Sequence, residues 1–110
     1  MDRMLQDFDA RFRAAEDRLR GVRDRFAAVG FDLYAEGFDR VAYYRDVVGA
    51  ETALAEVFAE ARMSVRVGDI VWSALYDAER LHLDYADEYR RLLAASDTAA
   101  VGTASVLVGR

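Results

Sequence analysis

Between Leu5 and Val29 the apolar residues recur at alternating steps of three and four. Leu5, Phe8, Phe12, Ala15, Leu19, Val22, Phe26 and Val29 form one unbroken heptad-type seam, which Met1 extends by a turn. Such spacing predicts a long amphipathic helix, here from about residue 2 to residue 29, with one dry face that must be covered. The mixed volumes along the seam, with three phenylalanines and an alanine, fit a simple two-stranded coiled coil poorly, since that prefers leucine and β-branched residues. The seam therefore points to packing on later helices of the same chain or on several neighbours. Arg11, Arg18 and Arg25 flank it on one side and Asp9 and Glu16 on the other, the arrangement by which flanking positions select register. Asp7–Arg11, Asp9–Arg13 and Glu16–Arg20 add acid-before-base pairs one turn apart.

No proline occurs in the 110 residues, so nothing interrupts a helix by removing a backbone donor. The next punctuation is Gly30-Phe31-Asp32, where Asp32 is expected to cap a second helix carrying Tyr34, Phe38, Val41, Tyr44 and Val48. After Gly49 the apolar stripe rotates to Ala50, Leu54, Val57, Phe58, Ala61 and Val65, so the helix either bends or breaks there, and continuation or a kink is favoured because residues 50–62 are strongly helix-forming. Gly68-Asp69 then predicts the start of a last helix over about residues 70 to 95. Its stripe is Val71, Leu75, Ala78, His82, Tyr85, Tyr89 and Leu92. Trp72, Tyr76 and Leu83 lie off that stripe, so this helix is expected to contact neighbours on two sides.

From Ser96 the residues are small or β-branched and carry no charge between Asp97 and Arg110. The expected organisation is thus a helical bundle domain, 1–95, and an extended or flexible C-terminal tail, 96–110, that could add to a partner as a strand or lie in a groove. The predicted fold class is all-α, a small antiparallel bundle of three helices, or four if the middle one breaks at Gly49, ending in that tail.

Cysteine is absent, which excludes disulfides, thiolate nucleophiles and cysteine zinc sites. Lysine is absent too, so all 15 basic residues are arginine and no Schiff-base chemistry is available. The net charge of −5, with acids and arginines interleaved, disfavours nucleic acid as a partner despite the six arginines between Arg11 and Arg25. No phosphate-cradling glycine loop, HExxH or EF-hand loop is present. No apolar run reaches the roughly 20 residues that a membrane span needs, and the N-terminus lacks the apolar stretch of a cleaved signal peptide. The expected location is cytoplasmic or within a particle.

One chemical motif stands out. Glu79-x-x-His82 puts a carboxylate and an imidazole on one helix face, the half-site of di-iron carboxylate bundles, and Glu51, Glu56 and Glu60 could supply bridging carboxylates. The chain contains a single such motif, whereas the usual single-chain site needs two, so a histidine held in the packing stripe is the plainer expectation and no cofactor is expected. The six tyrosines, six phenylalanines and one tryptophan are expected in core or interface, although Tyr43-Tyr44, Trp72-Tyr76 and Tyr85-Tyr89 could also form an aromatic ligand box.

The size and helical outline are similar to those of the small secreted helical dimers of type VII systems. The Trp-x-Gly turn is absent, however, and no tyrosine is followed four residues later by Asp or Glu, so no family is assigned. The function expected is that of a non-enzymatic helical structural or interaction subunit whose partner is protein. It would self-associate or dock in a larger assembly such as a phage- or virus-like particle or a secretion machine. Its expected contact residues are Phe8, Phe12, Leu19, Phe26, Trp72, Tyr76, Tyr85, Tyr89, Val106 and Val108. The alternatives are a ferritin-like metal protein using Glu79 and His82, and a small adaptor that binds through its tail.

Overall fold

The structure, a computed structural model, describes the backbone of residues 3–108 and the side chains of residues 6–96. Among the described residues there are three helices and no strand: α1 (Arg3–Ala27), α2 (Arg40–Arg62) and α3 (Ile70–Val108). The heptad seam of α1 is its buried face. Ala15, Leu19 and Val22 are buried against Tyr44, Val47, Ala50, Leu54 and Val57 of α2, and Phe8, Phe12 and Phe26 close over the edges. Helix α2 is the centre of the molecule, because it packs against both α1 and α3. That position explains why its apolar stripe rotates along the sequence: it has two faces to bury, one for each neighbour.

The three seam-flanking arginines all reach α2. Arg11 pairs with Glu60, and Arg25 donates to Asp46 at 3.1 Å. Between them the Arg18 guanidinium lies over Gly49, where a Cβ would run into it. The arginines are seven residues apart, so they mark two turns of α1 each and bridge to α2 near its end, middle and beginning. Asp9–Arg13 and Glu16–Arg20 form as expected, while Arg11 reaches across to Glu60.

Two boundaries differ from the sequence reading. The second helix starts at Arg40, not after Asp32. Asp32 accepts the Tyr34 amide at 2.9 Å and so caps a turn, whereas Asp39 accepts the Ala42 amide at 3.0 Å and caps the helix. Gly37 is the reason: its φ of 78° is left-handed, which no helix continues through. Through Gly49, α2 runs on without ending, in keeping with the continuation favoured from the sequence. That glycine gives room for the Arg18 side chain to cross. Secondly, α3 continues to Val108, so the backbone beyond Ala95 is helical rather than extended. Ala99, Ala100 and Ala104 favour helix and no proline stops it, so propagation outlasts the β-branched residues.

At 39 residues α3 is about 58 Å long, against about 35 Å for the 23 residues of α2. The molecule is correspondingly elongated, 65 × 28 × 18 Å, with a radius of gyration of 18.2 Å. A compact domain of this length has a radius of about 13 Å. The excess is the part of α3 that outruns the helix it packs on.

Candidate functional site

Two features of α3 carry the functional argument, one on its inner face and one on its outer face. On the inner face, Glu51 of α2 is buried, with 3% of its surface exposed. Its Oε2 lies 2.5 Å from His82 Nδ1. A carboxylate only accepts, so His82 Nδ1 is the donor of this contact. The imidazole stacks on Phe58 at 5.7 Å with an interplanar angle of 5°, and Tyr85 approaches it edge-on at 6.3 Å. Phe58 in turn meets Phe8 and Phe12 of α1, so the imidazole is tied into the same aromatic chain as the α1 seam.

Glu79 is engaged elsewhere. Arg62, near the C-terminal end of α2, holds it with Nε at 2.5 Å from Oε1 and Nη2 at 3.4 Å from Oε2. The same guanidinium lies over the rings of Trp72 and Tyr76, which are stacked at 5.5 Å. Hydrogen bonding to Glu79 pushes the Arg62 pKa above its ordinary value. The two ends of the Glu-x-x-His motif therefore face different partners on α2, Arg62 for Glu79 and Glu51 for His82. Among the described residues no group of three or more His, Asp or Glu side chains stands close enough to hold a metal ion. Glu60, one of the candidate bridging carboxylates, is taken by Arg11 on the opposite side of α2.

Farther along α3, Tyr89 meets Tyr43 and Tyr44 at 6.0 and 5.9 Å, and Tyr43 lies tilted against Phe26 at 4.6 Å. Burial first, and the neighbouring Tyr89 hydroxyl second, push the Tyr43 pKa well above its ordinary 10.0. A cleft of about 250 Å³ opens beside this cluster, between α1 and α3 over α2, and reaches down to Glu51.

The outer face of α3 is a second apolar stripe. Val71, Ala74, Ala78, Leu81, Tyr85, Leu92 and Ala95 follow alternating steps of three and four, with Glu88 the one charged residue in the series. Val71, Leu81, Tyr85 and Leu92 are all exposed. At the α2–α3 turn this surface is continuous in sequence with Met63, Val67 and Ile70, exposed by 82%, 75% and 85%. Although Tyr85 also lines the cleft beside Arg23 and Glu51, among the described residues no other helix covers the stripe. The sequence reading merged it with the inner face into one series, because both fall within a single broad apolar arc. The signal that separates them is the second heptad register beginning at Val71, which Leu81 belongs to and Leu75, His82 and Tyr89 do not.

The expected contact residues thus divide. Phe8, Phe12, Leu19 and Phe26 pack on α2 of their own chain. Tyr89 joins the inner cluster and Trp72 lies half-buried under Arg62, while Tyr76 and Tyr85 are substantially exposed. The side chains of Val106 and Val108 lie outside the described residues. No helix among the described residues is long and apolar enough to cross a membrane. No protein-family model, curated protein or solved structure matches the chain.

Proposed function

We propose that this protein is a non-enzymatic helical subunit that self-associates through the outer stripe of α3, alone or within a larger assembly. The observation that carries the reading is the uncovered heptad register from Val71 to Ala95. A helix of this length with a buried stripe on one side and an exposed one about 100° away has the surface of a bundle that continues into a neighbour. The order of cross-helix contacts, Arg11 with Glu60 and Arg25 with Asp46, then Arg62 with Glu79 and Tyr44 with Tyr89, supports an antiparallel arrangement of the three helices.

A second copy suits the stripe in charge as well as in shape. Asp77 and Asp84 flank its first half and Arg91 its second half on the same side. In two α3 helices running in opposite directions with Leu81 of each opposite Leu92 of the other, Asp84 of each comes beside Arg91 of the other. The test is the native mass over a range of protein concentrations by light scattering, with and without a chelator. Mass that rises with concentration and ignores the chelator is the expected result. A monomer at all concentrations overturns the proposal.

A further inference from the structure

The cleft over α2 has features that self-association does not use. Glu51 lines it together with Tyr43, Tyr89 and Tyr85, the last of which also belongs to the outer stripe. Oε2 of Glu51 is taken by His82, but Oε1 has no hydrogen-bond partner among the described residues and is not sealed from solvent. Arg23, from α1, stands at the rim with an exposed side chain that enters no ion pair among the described residues. A carboxylate and a guanidinium therefore line the same cleft without pairing with each other, alongside the Tyr43, Tyr85 and Tyr89 side chains. The volume of about 250 Å³ is below the usual range for drug-sized ligands and suits a molecule of some ten heavy atoms.

We propose that this cleft binds a small zwitterion, its ammonium group against Glu51 and the tyrosine faces and its carboxylate against Arg23. Each part answers to one chemistry. An organic cation gains from the ring quadrupoles and from the buried carboxylate, and its carboxylate gains a charge-assisted contact at the mouth. A simple cation would satisfy Glu51 and be repelled at the rim. An anion would meet Glu51.

Glycine betaine serves as the probe, with tetramethylammonium and acetate as its two halves, and binding is read from the ring resonances of Tyr43 and Tyr89 in the full chain. Glycine betaine is expected to give saturable shifts, tetramethylammonium to bind about tenfold more weakly, and acetate to give none. Arg23→Gln should reduce glycine betaine to the level of tetramethylammonium, and Glu51→Gln should weaken both by about tenfold or more. Because Glu51 is buried, its variant could lose the fold, and Arg23→Gln on the exposed rim then decides alone. No saturable shift with glycine betaine in the wild-type chain, glycine betaine binding no better than tetramethylammonium, or an unchanged affinity in Arg23→Gln overturns the proposal.

Discussion

At the scale of single residues, the contact between Glu51 and His82 gives a coupled pair whose loss is costly. Removing the imidazole leaves a carboxylate buried between helices without its donor, which costs more than the hydrogen bond itself was worth. His82→Leu is therefore expected to lower stability by about 2–3 kcal/mol in urea denaturation. Changing both Glu51 and His82 to leucine should cost less than His82→Leu alone; a double variant as unstable as the sum of the singles would show that the pair is not coupled. Tyr43 gives a pH dependence of known sign. Its folded pKa is raised above 10.0, chiefly by burial, so above that pH the unfolded chain loses the phenolic proton while the folded chain keeps it. The folded state then binds more protons, and its stability falls as pH rises from 10.0. Tyr43→Phe should remove that part of the alkaline slope in denaturation followed from neutral pH upward, and an unchanged slope would contradict the assignment.

At the scale of the elements, α1 was legible because its whole buried face lies in one register. Even its outward arginines announced their role, since Arg11, Arg18 and Arg25 all reach α2. The start of α2 was not legible, because Asp32 and Asp39 offer the same capping oxygen and only the left-handed Gly37 between them decides which one opens a helix. The extent of α3 was misread because a charge-free run of small and β-branched residues looks the same in a tail and in a helix that already has a long nucleus to grow from. Gly49 illustrates a residue whose type was visible and whose reason was not. Its place in α2 costs helix propensity, and it is kept by the Arg18 side chain rather than by a kink. Gly49→Ala is accordingly expected to stabilise the chain by about 1 kcal/mol in an Arg18→Ala background and by less when Arg18 is present. Equal gains in the two backgrounds, measured by thermal or urea unfolding, would refute that reason.

At the scale of the whole molecule, α3 carries two apolar stripes, and α2 covers only one of them among the described residues. The candidate contact surface was only half legible. The aromatic and leucine content told that α3 meets neighbours on two sides, but which residues face inward depends on the rotation of α3 against α2, and that is set by Glu51 with His82 and Arg62 with Glu79, pairs 31 and 17 residues apart. The rotation makes two substitutions of the same kind behave in opposite ways. Phe12→Asp puts a charge into the α1–α2 contact beside Phe58, and is expected to unfold the chain. Leu81→Asp puts the same charge on the exposed stripe, and should leave helicity and the unfolding midpoint of the isolated chain within about 0.5 kcal/mol of wild type while abolishing the concentration-dependent mass. If Leu81→Asp assembles as well as wild type, the outer stripe is not the surface that joins copies. If it unfolds instead, the stripe is covered within the chain, and the second register of α3 belongs to the core.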